Sequence, residues 1–256
     1  MRKPKKDAFA QIALTIFIIG ASIEVLSIAY SSSILAIIGL SIFFWGAITL
    51  YIKPDRHIPL TLLNASTTSN LKNIERILSE TNSTQKGLYL PPKYMKDLDS
   101  GLLYIPKEPN QPIPTLKEIN QRTLALSTQN GIILTPPGLA LSNLLEKELG
   151  TSFLKLDLSQ LQFKLPKILT ENLEITKDAL IEIGKNKITL KISNNVLNDL
   201  CQETRKLPRT HKMVGCLLSS AIACALAKTT GKIVIIQKEE QNPRYETIIH
   251  YKLLED

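Results

Sequence analysis

The chain has 256 residues, of which 44% are hydrophobic and 21% charged, and it carries a net charge of +8. These values are close to those of an ordinary globular protein and allow one or two domains. Three cysteines without CxxC spacing exclude a disulfide framework. Aromatic residues are 5% of the chain and do not interleave with runs of lysine and arginine, so nucleic-acid binding is not expected.

Two apolar segments, 8–30 and 33–52, open the chain. Each reaches or exceeds the ~20 residues that a helix needs to cross a hydrocarbon core. The sequence YSSS between them allows only a tight turn, so the sequence predicts a two-helix transmembrane hairpin over 1–52. A cleaved signal peptide is the alternative, but its apolar region is usually shorter and is not followed by a second apolar helix.

The charges beside the apolar segments predict their orientation. MRKPKK precedes the first segment, KPDRH follows the second, and the turn carries no charge. Because positive flanks stay in the cytoplasm, we expect a multi-pass protein of the cell membrane with both termini and the main domain cytoplasmic. Glu24 is the one ionisable residue inside the two segments. It either has a packing or functional role in the lipid or lies near the outer interface and reaches water.

Residues 53–84 read as a juxtamembrane linker followed by a short amphipathic helix in SNLKNIERILSE, and 85–256 as a cytoplasmic α+β domain. The similar pieces GLYLP and GLLYIP are expected to be extended, pairing as an edge hairpin or binding a groove. The dipeptide Asn130-Gly131 indicates a hairpin. Further on, helices are expected after Pro137, around Pro166, where a kink or break is expected, and after a Ser193 cap.

Strands are expected in ALIEI and ITLKI, and in KIVIIQKEE and YETIIHYKLL, each pair forming a hairpin. Strands and helices come in runs rather than in strict alternation. The predicted fold class is therefore α+β with a mainly antiparallel sheet.

The stretch GCLLSSAIACALAKTTGK, 215–232, is predicted to be a buried helix, because it is apolar nearly all round and too short to span a bilayer. Small residues recur every fourth position and form one ridge, which lets another element approach closely. This small-residue ridge packs either inside the domain, against the helix after Pro137, or at an interface with a second copy or another protein. Its members are Gly215, Ser219, Ala223 and Ala227.

No catalytic motif or metal site is predicted. Cys216 and Cys224 lie roughly 12 Å apart along a helix, too far to share one tetrahedral metal, and buried free cysteines usually behave as small hydrophobes. An enzyme would need His211 to converge with Cys201 or Glu203 in a cleft. The acidic residues near both ends of the domain are expected to lie on solvated faces; they are Glu146, Glu148, Glu239 and Glu240.

The order of elements in the C-terminal half resembles a known family. GLALSNLLEKELG, a second helix, ALIEIGKNKITLKIS, a short polar helix, the small-residue helix and a final hairpin follow one another. This order is similar to that of 4-vinyl-reductase-type domains and the related small subunits of the TRAPP vesicle-tethering complex. The resemblance implies an α+β ligand-binding or scaffold module, often dimeric, with an apolar pocket beside the helices. Family members often carry cysteines around the final hairpin, thought to serve a metal, whereas this sequence has none after Cys224.

The sequence thus predicts a membrane-anchored, non-enzymatic sensor or regulatory module without a cofactor. Its partners would be the lipid bilayer and either a small apolar ligand or a protein, including a second copy of the chain. The predicted ligand pocket is lined by Leu217, Ala221 and Cys224. One alternative is a structural scaffold subunit of a membrane-associated complex, and the other is an enzyme with an unrecognised site.

Overall fold

The computed structural model describes residues 6–51, 60–81, 83–94, 101–109, 111–115, 130–241 and 246–255. The chain divides into two compact units, 1–58 and 59–256. The linker predicted after residue 52 is outside the described residues up to residue 59, as is the turn after the strand KIVIIQKEE. All of RTLALS, 122–127, the first strand of the hairpin predicted at Asn130-Gly131, also lies outside them.

The first unit is a pair of helices, α1 (Lys6–Ala29) and α2 (Ser33–Tyr51). Glycines let their backbones approach closely: a Cβ on Gly20 would lie 2.3 Å from the Phe43 nitrogen, and one on Gly46 would lie 2.6 Å from the Phe17 nitrogen. The Phe17 and Phe43 rings fill the space between them, with centroids 4.4 Å apart. Small residues at the crossing of two apolar helices are typical of membrane helix pairs.

The outward faces of both helices are apolar. Only 17% of the window Ile12–Ala29 is buried, and this window is long and apolar enough to cross a membrane. The apolar part of α2, Ser33–Thr49, is shorter. Contiguous exposed apolar surface of this kind marks contact with a partner or a lipid phase. The most exposed of these side chains include Val25, Ile28, Ile34, Ile37, Trp45 and Tyr51.

Glu24 lies on the side of α1 that faces α2. A Cβ on Gly39 would lie 3.2 Å from its Cγ, and its carboxylate accepts a hydrogen bond from the Ser27 hydroxyl at 3.3 Å. Glu24 is therefore part of the contact between the two helices, one turn before α1 ends.

The second unit is built on one antiparallel sheet of seven strands, in the order β3-β2-β1-β6-β7-β5-β4. The strands are β1 (Leu88–Leu90), β2 (Leu102–Pro106), β3 (Gly131–Leu134), β4 (Asp178–Ile183), β5 (Lys187–Ser193), β6 (Ile233–Gln241) and β7 (Glu246–Leu254). The α+β class with an antiparallel sheet is confirmed. GLYLP and GLLYIP do pair, as β1 with β2, but β1 lies inside the sheet between β2 and β6 rather than at its edge.

The helices of this unit are α3 (Leu60–Glu80), α4 (Leu139–Leu149), α5 (Leu158–Lys167), α6 (Asn198–Arg205), α7 (Pro208–Met213) and α8 (Leu217–Thr230). The amphipathic helix predicted over 69–80 begins nine residues earlier, at Leu60, inside the predicted linker. As expected, α4 ends at Gly150, whose φ is +68°. Pro166 does not break α5, which continues to Lys167 and is followed by a π-helical turn over Ile168–Asn172.

The predicted Ser193 cap is wrong. Ser193 is the last residue of β5 and pairs with Glu246, and α6 begins only at Asn198. The turn between them instead uses the Asn195 side chain, whose Oδ1 accepts a hydrogen bond from the Leu197 N–H at 2.9 Å. Serine is a common helix cap, which suggested that the strand ends before Ser193, but the alternating strand pattern of ITLKIS includes it.

Helices α3 and α7 are joined by reciprocal capping. The Glu75 carboxylate accepts hydrogen bonds from the Arg209 and Thr210 N–H groups, at 3.2 and 2.7 Å, at the first turn of α7. The Arg209 guanidinium in turn donates to the carbonyls of Leu78 and Ser79 near the end of α3. Free N–H groups at the start of α7 and free carbonyls at the end of α3 are thus both satisfied. These bonds hold α7, and with it His211, in place.

Candidate functional site

Helix α8 lies at the centre of the domain. The window Pro208–Thr230 is long and apolar enough to pass as a membrane span, but 83% of it is buried in the domain. This agrees with the core helix predicted from the sequence. Cys216 is its N-cap, and Gly231, at φ +65°, ends it.

The small-residue ridge of α8 faces the sheet. A Cβ on Gly215 would lie 2.8 Å from the Ile236 side chain on β6, and the Ser219 carbonyl accepts a hydrogen bond from the Tyr251 hydroxyl on β7 at 3.1 Å. The other two ridge residues, Ala223 and Ala227, are buried as well, so all four residues of the ridge are buried. The ridge is therefore buried inside the domain, and its first two residues, Gly215 and Ser219, pack against the sheet.

The residues of the predicted ligand pocket lie on another face of α8, which α4 covers. A Cβ on Gly138 would lie 2.1 Å from the Ala221 nitrogen and 2.5 Å from the Leu217 carbonyl oxygen. The Gly138 N–H also donates to the Ser220 hydroxyl at 3.0 Å. Backbone lies directly on backbone there, and Ala221 and Cys224 are 0% and 5% exposed. Main-chain contact thus occupies the place where the apolar ligand was expected.

A β-bulge in β6 turns an acidic side chain into this core. Ile236 pairs with Tyr251, but Lys238 pairs with His250, so Gln237 is an extra residue. One extra residue reverses the alternation of a strand, and Glu239 comes to pair with buried Ile249 on the inner face. The Glu239 side chain is only 2% exposed. Its predicted place on a solvated face is wrong for this reason.

The Glu239 carboxylate lies against the first turn of α8. Its Oε1 accepts hydrogen bonds from the Cys216 N–H at 3.0 Å and from the Ser219 hydroxyl. Its Oε2 lies 3.3 Å from the His211 Nε2, an ion-pair distance that does not meet hydrogen-bond geometry. Burial acts to raise the pKa of Glu239, but His211, Ser219 and Cys216 outweigh it and hold the pKa below its ordinary value. Glu239 is therefore a buried anion at the positive end of a helix.

Two thiols meet beside this anion. The Cys201 Sγ on α6 lies 3.0 Å from the Cys216 Sγ, and both residues are buried. The hydrogen bond with Cys201, burial and the nearby Glu239 charge all raise the pKa of Cys216. A nucleophilic cysteine needs the opposite shift, so Cys216 remains a thiol at neutral pH. Cys201, Cys216 and Glu239 do converge in the core, with His211, whose side chain is 26% exposed, beside Glu239, whereas Glu203 pairs with Lys206 on the surface.

Buried tyrosines and one lysine complete the centre. The Tyr89 hydroxyl donates to the Val214 carbonyl at 2.6 Å, next to the turn that leads into α8. Burial raises the pKa values of Tyr89 and Tyr251 well above the ordinary tyrosine value, so both phenols act as donors. The Lys86 ammonium donates to the carbonyls of Ile236 and Gln237 and so holds the bulge from outside.

A second buried charge lies near the other end of α8. The Lys228 side chain is 3% exposed, and its Nζ lies 3.0 Å from the Glu146 carboxylate and 3.3 Å from the Asn143 Oδ1. The other carboxylate oxygen of Glu146 accepts from the Ser152 hydroxyl and from the Phe153 N–H. Burial acts against ionisation, but these donors and Lys228 lower the pKa of Glu146. Glu146 was therefore wrongly assigned to a solvated face.

Among the residues that the structure describes, no group of three or more His, Cys, Asp and Glu side chains could hold a metal ion. The centre around Glu239 contains a fixed anion, the hydrogen-bond donors that surround it, and two thiols in contact with each other. Of its members, sequence reasoning had named Cys201, Cys216, His211 and Ser219 separately. It missed Glu239, because the bulge that turns this residue inward has no signature in IVIIQKEE.

Comparison with known proteins assigns the chain to a family. A family model described as "Domain of unknown function (DUF7982)" matches residues 1–253, so the chain belongs to that family over both of its units. No curated protein and no solved structure matches it. The resemblance to vinyl-reductase-type domains and TRAPP subunits stays a prediction.

Proposed function

We propose that this protein is a membrane-anchored scaffold, in which the helix pair 6–51 is the anchor and the α+β domain binds a protein partner at the cytoplasmic face. The observation that carries the anchor is the outward face of α1 and α2. Val25, Ile28 and Ile34 are 68%, 78% and 73% exposed, which water disfavours and hydrocarbon does not.

The charge pattern supports the cytoplasmic orientation. Basic residues lie before α1 and after α2, and the turn at Ser31–Ser32 is uncharged. The rest of the chain after residue 52 also carries a positive excess, which favours the anionic inner leaflet. Digestion of sealed, right-side-out membranes tests the orientation. Added protease should leave the domain intact until the membranes are opened. Digestion before opening would contradict the cytoplasmic placement.

The packing of α8 supports a scaffold over a binder of small apolar ligands. Gly138 and Ala221 meet backbone to backbone at the position expected for the ligand, and Cys224 is buried. The donors to the Glu239 Oε1, the Cys216 N–H and the Ser219 hydroxyl, also lie within the domain. Native mass spectrometry of the full chain in detergent separates these functions. The scaffold predicts the bare protein mass or multiples of it, whereas a retained small molecule would favour the ligand-binding module.

Exposed apolar side chains on the domain support a protein partner. Phe163 on α5 is 76% exposed and Leu180 on β4 is 53% exposed. Leu180 alternates with the buried Ile181 and so lies on the opposite face of β4, which makes Phe163 a surface of its own. The buried ridge is not available, so association would use a surface such as the one around Phe163. Confinement to a membrane raises the effective concentration, so a small interface suffices.

The variant Phe163→Ser tests this surface. It should reduce cross-linking of the full chain to itself or to its partner in membranes, without lowering the urea midpoint. Val196→Ser, at a side chain that is 49% exposed on another element, is the matched control. Equal cross-linking in both variants would exclude this surface.

A further inference from the structure

We infer that Cys201 and Cys216 are a peroxide-oxidisable pair that closes reversibly into a disulfide inside the domain. Their sulfurs lie 3.0 Å apart, nearer than two non-bonded sulfurs ordinarily approach, and a bond requires them to move about 1 Å closer. The residues are 15 positions apart, on α6 and at the start of α8. The inference is independent of the proposed scaffold function.

A polar pocket leads to the Cys201 side of the pair. Its described lining is formed by amide and hydroxyl side chains and encloses about 230 Å³, room for small polar molecules. Asn195 belongs to the lining and also lies 3.9 Å from the Cys201 sulfur through its Nδ2. The Cys216 sulfur accepts a hydrogen bond from the Ser219 N–H at 3.5 Å. The lining residues are Asn194, Asn195, Asn198, Gln241 and Thr247.

The geometry assigns different roles to the two thiols. Hydrogen peroxide entering the pocket meets Cys201 first: an S–O bond forms, the O–O bond breaks, and the thiol proton leaves with the displaced oxygen as water. The Cys216 sulfur then attacks the Cys201 sulfur, the S–S bond forms, and the S–O bond breaks with release of a second water. Overall, two thiols are oxidised and one peroxide is reduced to two waters. Added dithiol reverses the reaction by exchange.

The surroundings of Cys216 suit the resolving role. Its raised pKa keeps it protonated while Cys201 reacts, so the two sulfurs do not compete for the oxidant. Cys224 is the third cysteine, and burial raises its pKa to about 12. It should therefore remain a thiol.

The experiment treats the full chain in detergent with hydrogen peroxide, blocks the remaining thiols under denaturing conditions, and measures the intact mass. We expect one blocked thiol, a loss of two hydrogens, full reversal by dithiothreitol and no dimer on a non-reducing gel. Cys224→Ala should leave the loss of two hydrogens intact, and Cys201→Ser should abolish it. Three blocked thiols after treatment, stable addition of oxygen, or a disulfide-linked dimer would each overturn the inference.

Two isosteric variants test the approach from the pocket. Asn195→Asp keeps the acceptor for the Leu197 N–H but places a negatively charged carboxylate oxygen near the Cys201 sulfur, which opposes the attack of this sulfur on peroxide. The oxidation rate should fall accordingly, while Asn198→Asp, in the same pocket, should oxidise at the wild-type rate. Equal rates for all three proteins would show that the sulfur beside Asn195 is not the one that reacts with peroxide, and this outcome would refute the assigned order of reaction.

Discussion

Replacing Glu239 by alanine should destabilise the domain more than a change at any neighbouring position of β6. The substitution leaves the Cys216 N–H buried without an acceptor, leaves the Ser219 hydroxyl only its bond to the Cys216 carbonyl at 3.0 Å, and removes the anion beside His211. An unsatisfied buried polar group costs about 1–3 kcal/mol, and breaking a buried charge arrangement costs about 3–5 kcal/mol in total. We expect a loss in that second range, a large part of the stability of an ordinary domain.

Glutamine at the same position separates charge from shape. Glu239→Gln keeps an oxygen where Oε1 accepts from Cys216 and Ser219, but the two hydrogen bonds become neutral. Charge-assisted hydrogen bonds are roughly twice as strong as neutral ones, so the loss should be about 1–2 kcal/mol. Urea unfolding of the full chain, followed by circular dichroism at constant detergent, measures both values. Glu240→Ala, at an exposed side chain paired with Lys238, is the control and should leave the midpoint unchanged.

Glu239→Ala should therefore lose the most stability, Glu239→Gln less, and the Glu240→Ala control the least. If Glu239→Ala were as mild as Glu240→Ala, the bulge would not turn Glu239 into the core and the description of the site would be wrong.

Acid should act through the same group. The folded pKa of Glu239 is lowered, so its contribution is complete above the pKa of an unfolded glutamate, about 4.3, and is lost as the pH falls through the lower folded value. The free energy of unfolding of the wild type should therefore fall more steeply than that of Glu239→Gln as the pH drops below about 4.3. Parallel curves would contradict the lowered pKa.

Two further substitutions test the packing around α8 by the same urea assay. Gly138→Ala should cost about 1–3 kcal/mol, because its Cβ would lie 2.1 Å from the Ala221 nitrogen. Gly184→Ala is the control and should cost less, since its Cβ would meet only the Lys187 carbonyl at 3.3 Å. Similar losses for the two variants would show that α4 does not rest on α8. Glu146→Ala should destabilise the domain by an amount towards the lower end of about 3–5 kcal/mol, since it leaves the buried Lys228 ammonium without its carboxylate. Lys228→Met should cost less, because Glu146 keeps two donors. The reverse order would contradict the buried pair.

Local patterns in the sequence were sufficient for most of the fold. Alternation over KITLKIS and KIVIIQKEE indicated β5 and β6, and the even apolarity of α8 indicated a core helix. These signals are short in range: alternation reports the one buried face of a strand, and even apolarity reports a helix that is buried nearly all round. The extension of α3 back to Leu60 was missed because LTLLNASTTS has no apolar period that continues the pattern of 69–80.

The candidate site could not be predicted in the same way, because its contacts depend on tertiary pairing. Glu239 is turned inward by one inserted residue, and a strand pattern read as regular alternation gives the opposite face. Lys228 and Glu146 are 82 positions apart. Cys201 and Cys216 meet because two short helices, α6 and α7, fold back between them, a geometry that residue spacing alone does not specify.

Alkaline extraction of membranes that contain the full chain tests the membrane anchor most directly. Carbonate at high pH releases peripheral proteins and leaves helices that span the bilayer in the pellet, because their apolar surface remains in hydrocarbon. We expect the full chain in the pellet, and the same chain lacking residues 1–52 in the supernatant. Release of the full chain by carbonate would show that α1 and α2 do not cross the membrane and would contradict the central claim.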